Sequence, residues 1–465
     1  MKFHNSDLKN HKIFRIKKRQ YEIKFKLKNE FFILRFNSVI LCLRIKEMIL
    51  SPGSKGWISK YKNLLQKGVI KVSIEQPEGV KKDHYQHLIL NRSGIVFGYA
   101  SELLFCNSLA HSNWTNEERL KLLLFESHLF IFASNGGDPV KDFDKFTDSL
   151  LDFYGHHSTK SLSRMFTFFI KESNIDKLEN ILAKRTDVRL NLLENAIWVN
   201  YLSNSFVYLD IILFEEFLLT NQVMMESKYE EYALNALIAL TLSAYSDGEL
   251  EEKEKKIFNV FLASAHFDDD RKEYAISKFK NGASFSDFSP ELTNIWLFKR
   301  FLLDISALTI FATHEATAEE KDFIQLLCEH LQIPAIEMEE ALALMENFIL
   351  NHTEQIVFLQ DSNMYEKMYG SLSKRWIKIL GRNKDKLAAE LKESKELMFL
   401  IKKSTTHELT KEEKEKVKSQ FLDLAKSMPA LAIFLLPGGA LLLPMVLKVI
   451  PSLIPSAFRN NEIES

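Results

Sequence analysis

Hydrophobic residues recur with a helical spacing along most of the chain. The segment 195–219 is apolar on more than one helix face, which is typical of helices buried on several sides. The segment 384–403 combines an apolar face with a charged one and predicts an amphipathic helix. Thr115, Thr317 and Thr410 each precede a glutamate by three residues, which is the pattern of a capping box. These patterns predict an all-α fold made of several helical bundles.

The first 47 residues follow a different pattern. In 21–28 apolar residues alternate with lysines, which predicts a strand in a chain that otherwise predicts helices. Residues 1–47 carry 13 Lys and Arg against 4 Asp and Glu, a net charge of +9, and the remaining chain carries −10. Three interpretations stay open for this basic arm. They are a native start at Met48, a disordered polybasic arm that lies on anionic lipid, and a small added strand element.

An internal repeat lies near the centre of the sequence. Residues 240–258 align with 308–326 at an offset of 68, which places Asp247 over Glu315 and Glu254 over Asp322. Each copy has an apolar helix, a short acidic turn and a helix whose first turn is acidic, as suits the positive end of a helix dipole. The repeat predicts two helix pairs packed with pseudo-twofold symmetry in a compact domain over 228–350.

The first copy of the repeat contains the motif A-x-S-D-G-x-L-x-x-x-E, and it resembles the TerB-like tellurite-resistance family. The resemblance implies a small helical domain whose acidic clusters bind divalent cations. Carboxylate oxygens suit hard ions, so the implied cation is calcium. By analogy its ligands are Asp247, Glu251, Glu254, Glu315, Glu319 and Asp322. In the alternative interpretation these side chains cap helices and face solvent.

The C-terminal segment has a composition unlike that of the preceding chain. Five of the ten prolines fall in the last 37 residues, and 427–447 carry no charge. At 1.5 Å rise per residue, that uncharged length suits a hydrocarbon core about 30 Å thick. Its helix-breaking residues allow a kinked span, two re-entrant helices or a buried hairpin. They form the candidate membrane segment: Pro429, Pro437, Gly438, Gly439, Pro444, Pro451 and Pro455.

The stretch HELTKEEKEKVKSQFLDLAKSMPALAIFLLPGGALLLPMVLKVIPSLIPSAF resembles the leucine-zipper and EF-hand-containing transmembrane (Letm) proteins. An L-T-x-x-E lead-in, a D-L helix, a proline-interrupted segment and a P-x-x-x-P-S-x-F close occur in the family's order. The resemblance implies a role in cation and proton homeostasis at a membrane. Pairing this ending with a TerB-like centre resembles a bacterial subgroup linked by name to biofilm formation.

Members of the Letm family continue past this motif into a ribosome-binding-like helical domain. The present chain ends ten residues after Pro455, so that domain's activity is not expected here. Ribosome binding therefore enters only as an alternative function, by analogy with the family.

Composition narrows the remaining function classes. A chain of 465 residues with 46% hydrophobic and 26% charged residues predicts two or three folded domains. The three cysteines lie far apart without a CxxC motif, so neither disulfides nor a zinc site is predicted. The chain has no GxSxG, HExxH or glycine-rich phosphate loop, so an enzyme is not expected. An acidic body makes DNA an unexpected ligand.

The predicted organisation has five parts. They are a basic arm (1–47), an N-terminal helical bundle (48–227), a TerB-like domain (228–350), charged amphipathic helices (351–427) and a Letm-like apolar tail (428–465). The expected protein is a non-enzymatic scaffold or sensor on the cytoplasmic face of the bacterial inner membrane, with lipid and protein partners. One span forms no pore, so ion movement would need a homo-oligomer. The alternative is a cytoplasmic stress-response module that binds a divalent cation.

Overall fold

The structure is a computed structural model of the 465-residue chain. It describes residues 50–74, 76, 79–109, 114–156, 173–186, 206–220, 225–248, 250, 252–289, 294–311, 317–351, 362–382, 384–404 and 407–427. The chain divides into two compact units, one formed by 1–51 with 108–111 and the other by 52–107 with 112–465. Every α-helix named below lies in the second unit.

The described residues form sixteen α-helices and no β-strand, which confirms the predicted all-α fold. The helices are α1 (Trp57–Gln66), α2 (Lys82–Ser93), α3 (Asn116–Ser134), α4 (Phe143–His156), α5 (Asn174–Thr186), α6 (Val207–Thr220), α7 (Met225–Ala244), α8 (Glu252–Ser264), α9 (Asp269–Asn281), α10 (Trp296–Phe311), α11 (Ala318–His330), α12 (Ala335–Asn351), α13 (Ser362–Gly381), α14 (Lys384–Glu393), α15 (Lys395–Ser404) and α16 (Lys411–Ser427). The strand predicted over 21–28 lies outside the described residues.

The three predicted capping boxes are confirmed. At the start of α3, the Thr115 hydroxyl accepts from the Glu118 amide, and the Glu118 carboxylate accepts from the Thr115 amide at 2.8 Å. Thr317 begins α11 in the same way with its Glu partner. Thr410 does so for α16. Each box satisfies two backbone donors that a helix start otherwise leaves unpaired.

Helix α1 begins without a local cap and is instead capped from a distant helix. Gly56 precedes it at a φ of 85°, a left-handed conformation that a glycine adopts without steric cost. The Glu179 carboxylate of α5 accepts from the Gly56 and Ile58 amides, each at 2.8 Å. One side chain therefore satisfies two orphan donors of α1 and fixes α5 against it.

Aromatic side chains fill the core of the N-terminal helices. Phe125 on α3 packs edge-on against Trp57 and Tyr61 of α1, with ring centroids 5.2 Å apart in both pairs. Residues 207–215 of α6 are all buried, as the apolar faces of 195–219 predict. Beside them, Arg185 pairs bidentately with Asp210 at 2.6 and 2.7 Å in a buried ion pair. The core is thus apolar with a few fully paired charges.

The internal repeat consists of three helices per copy, α7–α9 and α10–α12. The first helices, α7 and α10, pack against each other. Thr241 and Thr309 donate to the carbonyl four residues earlier in α7 and α10, consistent with the offset of 68. The structure therefore supports the duplication and adds a third helix to each predicted pair.

The second and third helices of the repeat follow an offset of 66. Both ends of α8 and α11 and the starts of α9 and α12 lie 66 residues apart. The turns before α9 and α12 contain His266 and Gln332, with φ values of 52° and 53°. Two side-chain-bearing residues in the left-handed region at matching positions are strong evidence of a common backbone path. The offset between the two copies therefore changes from 68 in the first helices to 66 in the second and third helices.

Candidate functional site

The structure describes four of the six acidic residues predicted to bind calcium. Asp247 lies half-buried in the turn after α7, and Glu254 is buried in the first turn of α8. Glu319 and Asp322 are exposed on α11. Glu251 and Glu315 lie outside the described residues. Within the described part of the chain, no group of three or more His, Cys, Asp or Glu side chains could hold a metal ion. Calcium binding stays a prediction.

The offset of 66 changes which acidic residues correspond in the two copies. It aligns Glu254 with Glu320, and these side chains are buried to 4% and 2% exposure. Glu320 is the capping-box glutamate of α11. The structure therefore corrects the pairing of Glu254 with Asp322. The physical reason is that the apolar residues of α8 and α11 are buried in register only at the shorter offset.

A buried polar junction joins the N-terminal helices to the repeat. His87 on α2 has its Nε2 2.7 Å from Asp304 Oδ2 on α10, and both side chains are buried. One turn earlier, His84 Nε2 lies 2.9 Å from Glu340 Oε2 on α12. The Arg300 guanidinium lies 3.4 Å from the same carboxylate oxygen. Three helices therefore meet through charged and polar side chains that have little access to solvent.

The electrostatics of this junction follow from burial. Burial lowers the pKa of His87, more than the neighbouring Asp304 raises it, so the imidazole stays neutral near pH 7. For Glu340 burial raises the pKa, but the hydrogen bond and charge of His84 outweigh it and the net shift is downward. The indole of Trp296 packs on both histidine rings at 5.7 and 5.8 Å. These contacts position α2, α10 and α12 relative to one another, and none of the junction side chains is an exposed nucleophile.

A second buried carboxylate supports the segment between α2 and α3. Glu126 of α3 accepts from the Leu104 and Phe105 amides at 2.7 and 3.0 Å and from the Tyr61 hydroxyl at 3.3 Å. Burial raises the pKa of Glu126 to about 7, although these donors oppose the rise. Burial also raises the pKa of the adjacent Cys106 thiol, which leaves it unreactive. Glu126 thus fixes the backbone of 104–105 from inside the core.

That segment forms one wall of a cavity of about 330 Å³. Most of the cavity lining is apolar, contributed by Tyr85, Ile89, Leu103, Leu104, Phe105 and Phe130. Arg92 and Glu102, which are joined by two hydrogen bonds of 2.6 and 2.7 Å, form a polar edge. The other lining residues are Ser73, Ser93 and, from α16, Glu415 and Ser419. The cavity therefore lies between the N-terminal helices and the C-terminal helix.

Helix α16 makes several polar contacts with the neighbouring helix α15. Lys416 Nζ lies 2.9 Å from Glu396 Oε1, with the two side chains 62% and 53% exposed. Gln420 donates to the same carboxylate at 3.0 Å. Lys403 pairs with Glu413 at 2.6 Å. An exposed pair such as Lys416 with Glu396 contributes little stability and weakens with salt.

The C-terminal segment that begins at α16 matches a known protein family. Residues 409–465 match a family model described as "LETM1-like, RBD". No curated protein and no solved structure matches the chain. The match identifies the C-terminal segment as Letm-related, as its motifs predict. The match covers the motif and the residues that follow it up to 465.

The candidate membrane residues fall beyond the part of the chain that the structure describes. This holds for all seven: Pro429, Pro437, Gly438, Gly439, Pro444, Pro451 and Pro455. Among the helices that are described, none combines the length and the apolar character needed to cross a bilayer.

Sequence patterns alone missed the buried junction and the cavity. The HxxH spacing of His84 and His87 is visible in the sequence, but their partners Glu340 and Asp304 lie 256 and 217 residues away. The cavity likewise combines residues from five separate segments. No local pattern marks such a combination, because it exists only once the helices have packed.

Proposed function

We propose that the chain is a non-enzymatic, membrane-associated helical scaffold whose C-terminal segment contacts the bilayer. The observation that carries this proposal is the Letm-related match over 409–465, which includes the 21 uncharged positions of 427–447. A stretch of that length is long enough for a hydrocarbon core. The proposal extends to a role in cation homeostasis, envelope function or biofilm formation, as the Letm and TerB-like resemblances imply.

The described helices support a distinction between a helical scaffold and a C-terminal connection to the membrane. Helix α16 leads directly into the uncharged stretch and contacts α15 through one half-buried ion pair and two exposed polar contacts. The N-terminal helices and the repeat, in contrast, share a buried junction and dense aromatic packing. The scaffold is therefore the rigid part, and α16 is the connection to the proposed membrane contact.

Charge distribution favours a cytoplasmic position for the scaffold. Five lysines lie between 411 and 426, immediately before the uncharged stretch, whereas Lys448 and Arg459 follow it. Positive charge near a membrane segment favours the cytoplasmic side. We therefore place the scaffold on the cytoplasmic face of the bacterial inner membrane, with a wholly cytoplasmic protein as the alternative.

Fractionation of the tagged native protein tests membrane association. The full chain is expected in the membrane pellet and to resist a carbonate wash, and a variant truncated after residue 427 is expected in the supernatant. A variant with Lys448→Ala is the matched control, because it keeps the uncharged stretch and changes only its flank. Release of the full chain by carbonate would contradict insertion.

The description of the matched family model favours ribosome association as a second candidate. The lysine-rich face of α16 is the described part of that match and offers positive charge to a phosphate backbone. Co-sedimentation of the full chain with ribosomes in sucrose gradients tests it. Association should decline steeply as salt rises and should weaken when Lys411 and Lys414 are replaced by glutamine. Ribosome fractions free of the protein at low salt would exclude this candidate.

A further inference from the structure

We propose that the cavity between α2 and α16 binds a compact apolar ligand that carries one cationic group, and that this ligand fastens α16 to the scaffold. The cavity volume of about 330 Å³ lies at the lower end of the range for small-molecule sites. The proposal concerns the cavity alone and holds whether or not the C-terminal segment contacts lipid.

The shape and lining of the cavity define the apolar part of the ligand. Tyr85, Phe105 and Phe130 supply aromatic surface, and Ile89 supplies a half-buried aliphatic side chain. The volume accommodates a single ring or a branched chain of similar size, and it excludes an extended acyl chain. A phenyl ring with a two-carbon arm is therefore a suitable probe body.

Three charged side chains on the lining define the polar part of the ligand. Arg92 and Glu102 neutralise each other through their bidentate pair. Glu415 is an exposed lining residue on α16 and forms no ion pair with any residue that the structure describes. The lining therefore has a net charge of −1, which favours an ammonium group and disfavours a carboxylate or phosphate.

Occupancy of the cavity is coupled to the position of α16 because the walls belong to different elements. Glu415 and Ser419 lie on α16, whereas the apolar walls belong to α2, α3 and 103–105. A ligand that touches both sides binds only when α16 is docked, so binding stabilises the docked position. The exposed Lys416–Glu396 pair contributes little to holding α16 in place. The binding free energy of even a weak ligand therefore favours the docked position of α16.

A matched set of probes tests the chemical class of the ligand. The set is 2-phenylethylamine, 2-phenylethanol and 3-phenylpropionate, which share a phenyl body and differ in the charge of the head group. Saturation-transfer NMR with the detergent-solubilised full chain should show the amine binding about threefold better than the alcohol, in roughly the millimolar range, and the acid binding least. Equal binding of amine and acid, or no binding of the amine, would overturn the proposal.

Substitutions on the lining separate site binding from partition into detergent. Ile89→Trp and Ser419→Phe fill the cavity from its two sides at positions that are not fully buried, so both variants should fold and lose all probe binding. Glu415→Gln should keep alcohol binding and remove the preference for the amine. Glu412→Gln, on the same helix but off the lining, is the control and should change neither. Probe binding that survives both filling variants refutes the site.

Hydrogen exchange of the full chain tests the coupling to α16. The amine at saturating concentration should slow amide exchange in 411–427 by about threefold or more and leave 57–66 unchanged. The Ile89→Trp variant should show no such effect of the amine. If the amine binds but exchange in α16 does not change, the fastening role is excluded.

Discussion

At the scale of single residues, buried carboxylates fix the backbone of segments that are distant in sequence. Glu179 caps a helix 121 residues away in sequence, at Ile58, and Glu126 holds two backbone amides beside the cavity. Neither role is visible in the sequence, where both residues look like ordinary helix-surface glutamates. Their burial becomes apparent only when the partner backbone is in place.

Loss of the Glu179 cap should destabilise the fold. Glu179→Ala leaves the Gly56 and Ile58 amides without their acceptor, and we expect the free energy of unfolding to fall by about 1 to 2 kcal/mol. Glu179→Gln keeps one acceptor oxygen and should cost about half as much. Urea denaturation followed by circular dichroism measures both. Glu273→Ala, on the exposed face of α9, is the control and should lie within about 0.5 kcal/mol of wild type.

Glu126 should make stability depend on pH. Its folded pKa of about 7 lies above the ordinary value of 4.5, so the folded state retains a proton that the unfolded state has released between these values. Its contribution is therefore fully present below pH 4.5 and is lost as pH rises through 7, by on the order of 3 kcal/mol. Glu126→Gln should remove this slope.

The measurement is the difference in urea midpoint between wild type and Glu126→Gln at several pH values from 5 to 8. The difference isolates Glu126, because His87 contributes the opposite slope in both proteins: its lowered pKa reduces stability as pH falls through about 6.5. Parallel curves for the two proteins would show that Glu126 is ionised throughout this range.

At the scale of helices, local sequence signals predicted the starts well and the register poorly. The capping boxes at Thr115, Thr317 and Thr410 depend on residues three positions apart, so the sequence contains all the information. The register of the repeat depends on how long each acidic turn is. An alignment based on the charged positions therefore places α8 two residues out of register with α11. An alignment based on the buried apolar positions would have given the correct register.

Substitutions in both copies of the repeat test the corrected register. Glu320→Ala removes a capping box and should cost about 1 kcal/mol. If Glu254 occupies the equivalent position, Glu254→Ala should cost a similar amount or more, because its side chain is buried. Asp322→Ala, on the exposed face of α11, should change stability by less than about 0.5 kcal/mol. A large effect of Asp322→Ala alone would support the earlier pairing.

At the scale of the whole molecule, the junction between α2, α10 and α12 makes the N-terminal helices and the repeat interdependent. The sequence predicts separate parts over 48–227 and 228–350. The structure adds that these parts share buried partners, His87 with Asp304 and His84 with Glu340. A periodic pattern of hydrophobic residues does not indicate contacts between residues more than 200 positions apart, so these contacts could not be predicted from the sequence.

This junction should make α2 and α10 lose protection together. Asp304→Ala leaves His87 buried without its partner and should reduce stability by about 2 to 3 kcal/mol. Native-state hydrogen exchange should then show faster exchange in both 82–93 and 296–311. Asp270→Ala, on the exposed start of α9, should leave both segments unchanged. Faster exchange confined to one helix would show that the two parts open independently.

The left-handed turn at His266 and its counterpart at Gln332 has a consequence for how the repeat has diverged. The two tetrapeptides around it, AHFD over 265–268 and LQIP over 331–334, share no residue, yet the second residue of each has nearly the same left-handed φ, 52° and 53°. The two copies therefore have this backbone conformation in common, whereas their residue identities have diverged. Exchanging the two tetrapeptides should accordingly give a chain that still folds, because segments with the same backbone conformation can replace each other.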